Sequence, residues 1–283
     1  MRTQSLRRIT AAAFLVSLLL TACRRSEPAA AKPSAPDSVR QPVAEAVKSP
    51  DAGVPASAAA EPAIIAKARA YIGSEQLLDS VQSIHFSGTL TYEDGTKGVI
   101  DLILQKPCRQ RIVITTEKAA ETSALDEYDA WTRIQDSKDL TRWKLTLLNP
   151  LQIKMFRANT LEQFNFFRSP GKRDVMIEDL GDVAVDGIKC RKVAFKRDDG
   201  NVFVRYFDVD TGRLVLIETP QQGGKVREEG EIMAGGLRFP KRHVQSSKFA
   251  NGKFQTVTIE FDQAAVNEVF PRSIFAVPSI SNR

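Results

Sequence analysis

From Ile84 onward the side chains of this chain alternate along the backbone, and the alternating stretches are joined by links too short to contain a helix. In Ile84–Tyr92, Phe86, Gly88, Leu90 and Tyr92 fall on one face and His85, Ser87, Thr89 and Thr91 on the other. That period of two is the pattern of a strand with one buried side. Asp94-Gly95 then turns the chain into Gly98–Gln105, a hairpin signal. Further strand-like runs are Arg111–Thr115, Tyr128–Ile134 and Arg142–Leu147. Asp199-Gly200, Asp210-Thr211-Gly212, Gly223-Gly224, Gly235-Gly236 and Asn251-Gly252 punctuate the second half at near-regular spacing. In Gln255–Phe261, Val257, Ile259 and Phe261 again alternate with Thr256, Thr258 and Glu260. A parallel pair needs a crossover of a dozen or more residues, so links this short allow only an antiparallel meander.

Two segments break the alternation. Ile64, Ile65, Ala68, Tyr71 and Ile72 follow the helical period, and Gly73 ends the run. Ser74 is placed to cap a second helix with Leu77, Leu78 and Val81 on its apolar face. Between Asn149 and Arg168, LQIKMFRANTLEQFNFF reads as one or two short helices, the second starting at Asn159 or Thr160. It holds the densest aromatic cluster of the chain.

Ahead of the domain lies a different kind of sequence. Arg2, Arg7 and Arg8 precede an apolar stretch, Ile9–Leu20, too short for a comfortable membrane span. Leu20-Thr21-Ala22-Cys23 follows and resembles the lipobox of bacterial lipoproteins. The resemblance implies cleavage of residues 1–22 and acylation of Cys23, an anchor worth about 0.8 kcal/mol per buried methylene. Arg24 stands where an aspartate would retain such a protein at the inner membrane, so the expected address is the outer membrane, facing the periplasm. Residues 24–60 are rich in Ala, Pro and Ser with almost no large apolar side chains, so 23–60 reads as a lipidated cysteine plus disordered tether. Residues 61–283 carry no second linker and read as one domain.

The chain's formal charge is +6, and three of those charges belong to the leader arginines. The remainder is small and scattered, which argues against a nucleic-acid surface. Cys108 and Cys190 remain for an oxidising compartment, and sequence spacing leaves both a disulfide and two packed thiols open.

Several of these segments together resemble one family. GSEQLLDSVQSIHFSGTL (Gly73–Leu90), Lys106-Pro107, Arg111, Asp129 and Trp131 are similar to the front half of LolA-like proteins, the outer-membrane lipoprotein-sorting family. GGLRFPKR (Gly235–Arg242) and AAVNEVFPRSIFAVP (Ala264–Pro278) are similar to their closing strands and tail. The resemblance implies a mainly β fold with some α: an unclosed antiparallel half-barrel of about eleven strands, its concave face covered by an N-terminal helix and inserted helices. Together with the lipobox, it implies a lipid-anchored carrier of acyl chains or of other lipoproteins.

Catalytic chemistry is not visible. His85 and His243 are the two histidines, and each reads as an ordinary strand residue. No G-x-S-x-G, G-x-G-x-x-G, H-E-x-x-H or phosphate-binding loop occurs, no metal-ligand spacing is present, and no cofactor is expected. Trp131 and Trp143 read as packing residues. Phe156, Leu161, Phe164, Phe166 and Phe167 have two readings: the lid and wall of an acyl-chain cavity, or filling of the concave face. The first makes the protein a non-catalytic binder or carrier of an apolar ligand; the second makes it an envelope interaction or sensing module.

Overall fold

The computed structural model describes residues 61–168, 175–198, 200–221, 223–248 and 254–279; the leader, Cys23 and the tether lie outside them. The fold opens with α1 (Ala63–Ile72) and α2 (Glu75–Ser80). Ser74 caps α2 by accepting a hydrogen bond from the Leu77 amide, which satisfies one of the first-turn N–H groups. Six strands follow as successive hairpins: β1 (Ser83–Tyr92), β2 (Lys97–Gln105), β3 (Arg109–Thr116), β4 (Ala119–Asp126), β5 (Asp129–Asp136) and β6 (Trp143–Leu147). After α3 (Pro150–Asn165) come β7 (Val175–Val185), β8 (Ile188–Arg197), β9 (Val202–Asp208), β10 (Leu214–Thr219) and β11 (Gly224–Glu229). The last elements are β12 (Ile232–Ala234), β13 (Leu237–Phe239), β14 (Arg242–Lys248), β15 (Phe254–Val266) and a 3-10 turn at Arg272–Ile274.

Thirteen strands form one antiparallel sheet in the order β6-β5-β4-β3-β2-β1-β15-β14-β11-β10-β9-β8-β7, with β12 and β13 as a separate hairpin. β6 and β7 stand at opposite edges, unpaired with each other, so the barrel is not closed. This is the unclosed half-barrel expected from the sequence, with thirteen strands in place of about eleven. The carboxy-terminal strand lies in the middle, between β1 and β14. Its register against β1 shifts at Ser87/Gly88, and a Cβ on Gly88 would fall 2.0 Å from the Glu260 carbonyl oxygen. Only glycine admits so close a backbone there.

The core sits on the concave face. Phe86, Leu90 and Tyr92 of β1 and Val257, Ile259 and Phe261 of β15 are all buried, as their alternation requires. α2 adds Leu78 to this cluster, Val81 just after it joins, and the β12–β13 hairpin adds Ala234, Leu237 and Phe239. α1 lays Ile65 and Ala68 against Val193, Phe195, Phe203 and Phe207 of the other half. The carboxy-terminal tail contributes a fully buried Phe275, whose carbonyl accepts from Trp131 Nε1 at 2.9 Å. Trp131 is therefore a packing residue, whereas Trp143, on edge strand β6, is 47% exposed.

Two readings that the sequence leaves open are narrowed. The insertion is a single helix, started by a capping box in which Asn149 and Gln152 satisfy one another's backbone amides, with Pro150 in the first turn. Asn159 and Thr160 lie inside it; the Thr160 hydroxyl is buried 2.7 Å from Gln110 Oε1. Cys108 and Cys190 are free thiols, not a disulfide. Cys108 packs with Leu125, Ala130 and Phe156, and Cys190 packs in another cluster with Ala194, Val204, Tyr206 and Val215, so no bridge joins them. Burial raises the pKa of both thiols, which makes them poor nucleophiles.

Candidate functional site

Between the curled sheet and its covering helices lies a cavity of about 280 Å³. One side is apolar: Phe86 of β1, Ile100 and Leu102 of β2, Ile112 of β3, and Ile259 and Phe261 of β15. Polar side chains share the lining: Glu162 of α3, Arg205 of β9, Arg213 just before β10, Glu228 of β11, and His243 of β14, which pairs with Ile259. Phe166 and Phe167 line it from the carboxy-terminal end of α3. The cavity is thus amphiphilic.

The roof is held in an uncommon backbone state. Phe166 and Phe167 have φ of 44° and 68°, two consecutive left-handed residues that carry side chains. Such a conformation costs about 1–2 kcal/mol per residue and persists only where surroundings enforce it. Here Arg69 of α1 does so: its Nη1 donates to the carbonyls of Asn165 (3.1 Å) and Phe166 (2.7 Å). A cation at a helix carboxy terminus satisfies carbonyls that have no partner in the helix. Glu75 fixes the guanidinium through Nε (2.7 Å) and Nη2 (2.5 Å), and Arg168 also bonds Glu75. Hydrogen bonding to Arg69 accordingly lowers the Glu75 pKa, outweighing burial. Phe167 packs edge-on against Phe207, with ring centroids 4.9 Å apart.

The polar wall is built around Arg205. Its Nη2 donates to Glu162 Oε2 at 2.8 Å, while Arg197 Nη1 donates to Glu162 Oε1 at 2.7 Å. The guanidinium carbon lies 4.3 Å from the centroid of Phe195 and 5.4 Å from those of Phe167 and Phe203. Cation–π contact of this kind compensates in part for lost hydration. Yet Nε and Nη1 of Arg205 are buried without a hydrogen-bond partner. Glu228 and His243 are directly opposed across β11 and β14, with Nε2 3.7 Å from Oε1. Burial pushes the Glu228 carboxyl up to about 7 despite the nearby Arg205 and Arg213, and it pushes His243 down to about 4.

The five lid candidates therefore separate. Phe166 and Phe167 face the cavity. Phe156 does not: it is fully buried with Cys108, Leu125 and Ala130 from the first half of α3. Leu161 and Phe164 border a neighbouring open cleft with Lys106 and Arg168. Helical spacing ranks Phe164 and Phe167 together, but the helix stops at Asn165, and the left-handed turn aims Phe167 elsewhere. Sequence reading missed the polar wall altogether. One signal was present: Arg205 interrupts the apolar run of β9 with Phe203 and Phe207 two residues away on the same face. His85, by contrast, lies on the outer face between Asp101 (2.9 Å) and Glu268 (2.7 Å).

Among the described residues no cluster of three or more His, Cys, Asp or Glu side chains is placed to hold a metal, and no helix is long and apolar enough to cross a membrane. No family model and no curated protein matches the sequence. Solved structures similar to it include a DUF1329 family protein from Desulfovibrio piger, 10% identical, with a TM-score of 0.47 over 76% of this chain and 96% of that one. A LolA superfamily protein from Nitrosomonas europaea gives the same identity, TM-score and coverage. A domain from Vibrio parahaemolyticus, described as outer membrane lipoprotein-sorting, is 10% identical with a TM-score of 0.46 over 75% of this chain and 94% of that one.

Proposed function

We propose that this chain is an outer-membrane-anchored periplasmic lipoprotein, attached through Cys23, that binds or passes on an acyl chain without catalysing a reaction. Lipoprotein sorting is a process such a carrier serves. The observation that carries the reading is the cavity itself, walled on one side by apolar side chains and roofed by Phe166 and Phe167. A concave space of that kind, lined by apolar side chains and covered in part by the end of α3, suits an apolar guest better than a protein surface. Arg69 is the latch: moving the end of α3 breaks its bonds to Asn165 and Phe166 and releases the left-handed strain.

The test is uptake of a fluorescent fatty acid by the purified chain carrying Cys23→Ser. Saturable binding is expected, and Arg69→Met should speed uptake severalfold while lowering thermal stability, because a loosened roof opens more often. Absence of saturable uptake by well-folded protein would favour the interaction module with a filled concavity.

A further inference from the structure

A purely apolar guest would leave the polar wall worse off than it is empty. Arg205 is 5% exposed, and two of its N–H-bearing nitrogens, Nε and Nη1, have no partner. A buried, unsatisfied charged donor is costly, and covering it with hydrocarbon restores nothing. The neighbouring groups do not meet this need. The Glu162 carboxylate already receives both Arg197 and Arg205, and Arg213 Nη1 donates to the backbone carbonyl of Glu228. Glu228 and His243 lie opposite one another on the same wall, and neither is hydrogen-bonded to Arg205. The ring of Phe167 lies over the guanidinium, so lifting the roof uncovers it.

Size narrows the guest further. At about 280 Å³ the cavity lies at the small end of ligand pockets, which run from about 300 to 1,000 Å³, and suits one medium-length chain better than several.

We propose, building on the acyl-chain reading, that the cavity takes a single-chain amphiphile with an anionic head, its tail among Phe86, Ile112 and Phe261 and its carboxylate or phosphate on the free donors of Arg205. Charge-assisted hydrogen bonds of this type are about twice as strong as neutral ones. The head therefore decides selectivity, and the chain supplies bulk affinity.

Calorimetric titration of the chain carrying Cys23→Ser with decanoate, decyl phosphate, decanol, decylammonium and inorganic phosphate tests this. Decanoate or decyl phosphate should bind at least tenfold more tightly than decanol, decylammonium more weakly still, and inorganic phosphate not measurably. Which of the two anions binds better distinguishes a fatty-acid guest from a phosphate-headed one. Arg205→Met should remove the preference for the anions over decanol. Arg205→Lys, which keeps the charge beside Glu162, should retain part of the preference if the methionine variant fails to fold. Equal binding of decanol and both anions by the wild type would overturn the head seat while leaving the acyl-chain reading intact. Tight binding of inorganic phosphate alone would overturn it in favour of a simple anion site. Binding of none of the five would remove both proposals.

Discussion

At the scale of single residues, the Glu228–His243 pair gives the sharpest expectation. Burial raises the Glu228 carboxyl to about 7 in the fold, so its stabilising share is full below the ordinary carboxyl value and is lost as pH rises through about 7. His243 is held neutral, so its share is full above 6.5 and is lost as pH falls through about 4. Across the window from about pH 4.5 to 6.5 the two slopes oppose one another, each near 1.4 kcal/mol per pH unit. Relative to wild type, Glu228→Gln should therefore gain stability as pH rises through that window, and His243→Gln should lose it. Urea unfolding at pH 5 and pH 6.3 would show the opposite signs; parallel behaviour of the two variants would mean the pair does not titrate there. Neither partner was legible as special in the sequence. His243 sits in RHVQSSK and Glu228 in GKVREE, both ordinary polar strand segments whose burial arises only where β11 meets β14 on the concave face. Gly88 was legible as an inward strand position, but the backbone approach that demands it appears only once β15 is in place. Gly88→Val should abolish native folding, read as loss of a cooperative unfolding transition.

Among the elements, α3 divides its work along its length. Its first half is structural: Phe156→Ala should cost about 3–5 kcal/mol and leave the affinity for fatty acid unchanged in the folded fraction. Its end is the roof, so Phe167→Leu should alter uptake while changing stability by less than about 1.5 kcal/mol. Denaturation paired with binding titrations separates the two, and a matching loss of affinity in both variants would contradict the division. β1 and β15 were readable because one side of each faces the core and the other faces water, so the alternation survives in the residues. β4 was not. AAETSALD is poor in the branched and aromatic side chains that favour strands, yet it is buried along nearly its whole length. Ala124 opposes Trp131, whose indole is covered by the tail at Phe275, while Leu125 packs inward against Phe156. Small residues fit a strand covered on both faces. Without the tail in view, they carry no period.

For the whole molecule, the half-barrel follows from short turns and alternating faces, both visible in the sequence, whereas the cavity is a difference between sheet curvature and helix cover that no local pattern encodes. The proposed anchor implies that Cys23→Ser releases the protein from membranes and removes palmitate labelling; continued labelling would exclude acylation at that residue. Limited proteolysis should cut between residues 24 and 60 and leave a resistant fragment beginning near Glu61, since the Ala/Pro/Ser-rich sequence ahead of it has almost no large apolar side chains to bury. The central position of β15 has a further consequence for how such a chain is made. Ser83 at the start of β1 bonds the carbonyl of Glu268, 185 residues later, so the middle of the sheet is joined by chain ends that emerge far apart in time. Contacts of such long range slow folding. Until the last thirty residues arrive, β1 and β14 each present an open edge, the kind of surface that recruits another chain. A stop codon just before Phe254 would delete one strand of thirteen, yet it would divide the sheet into two pieces.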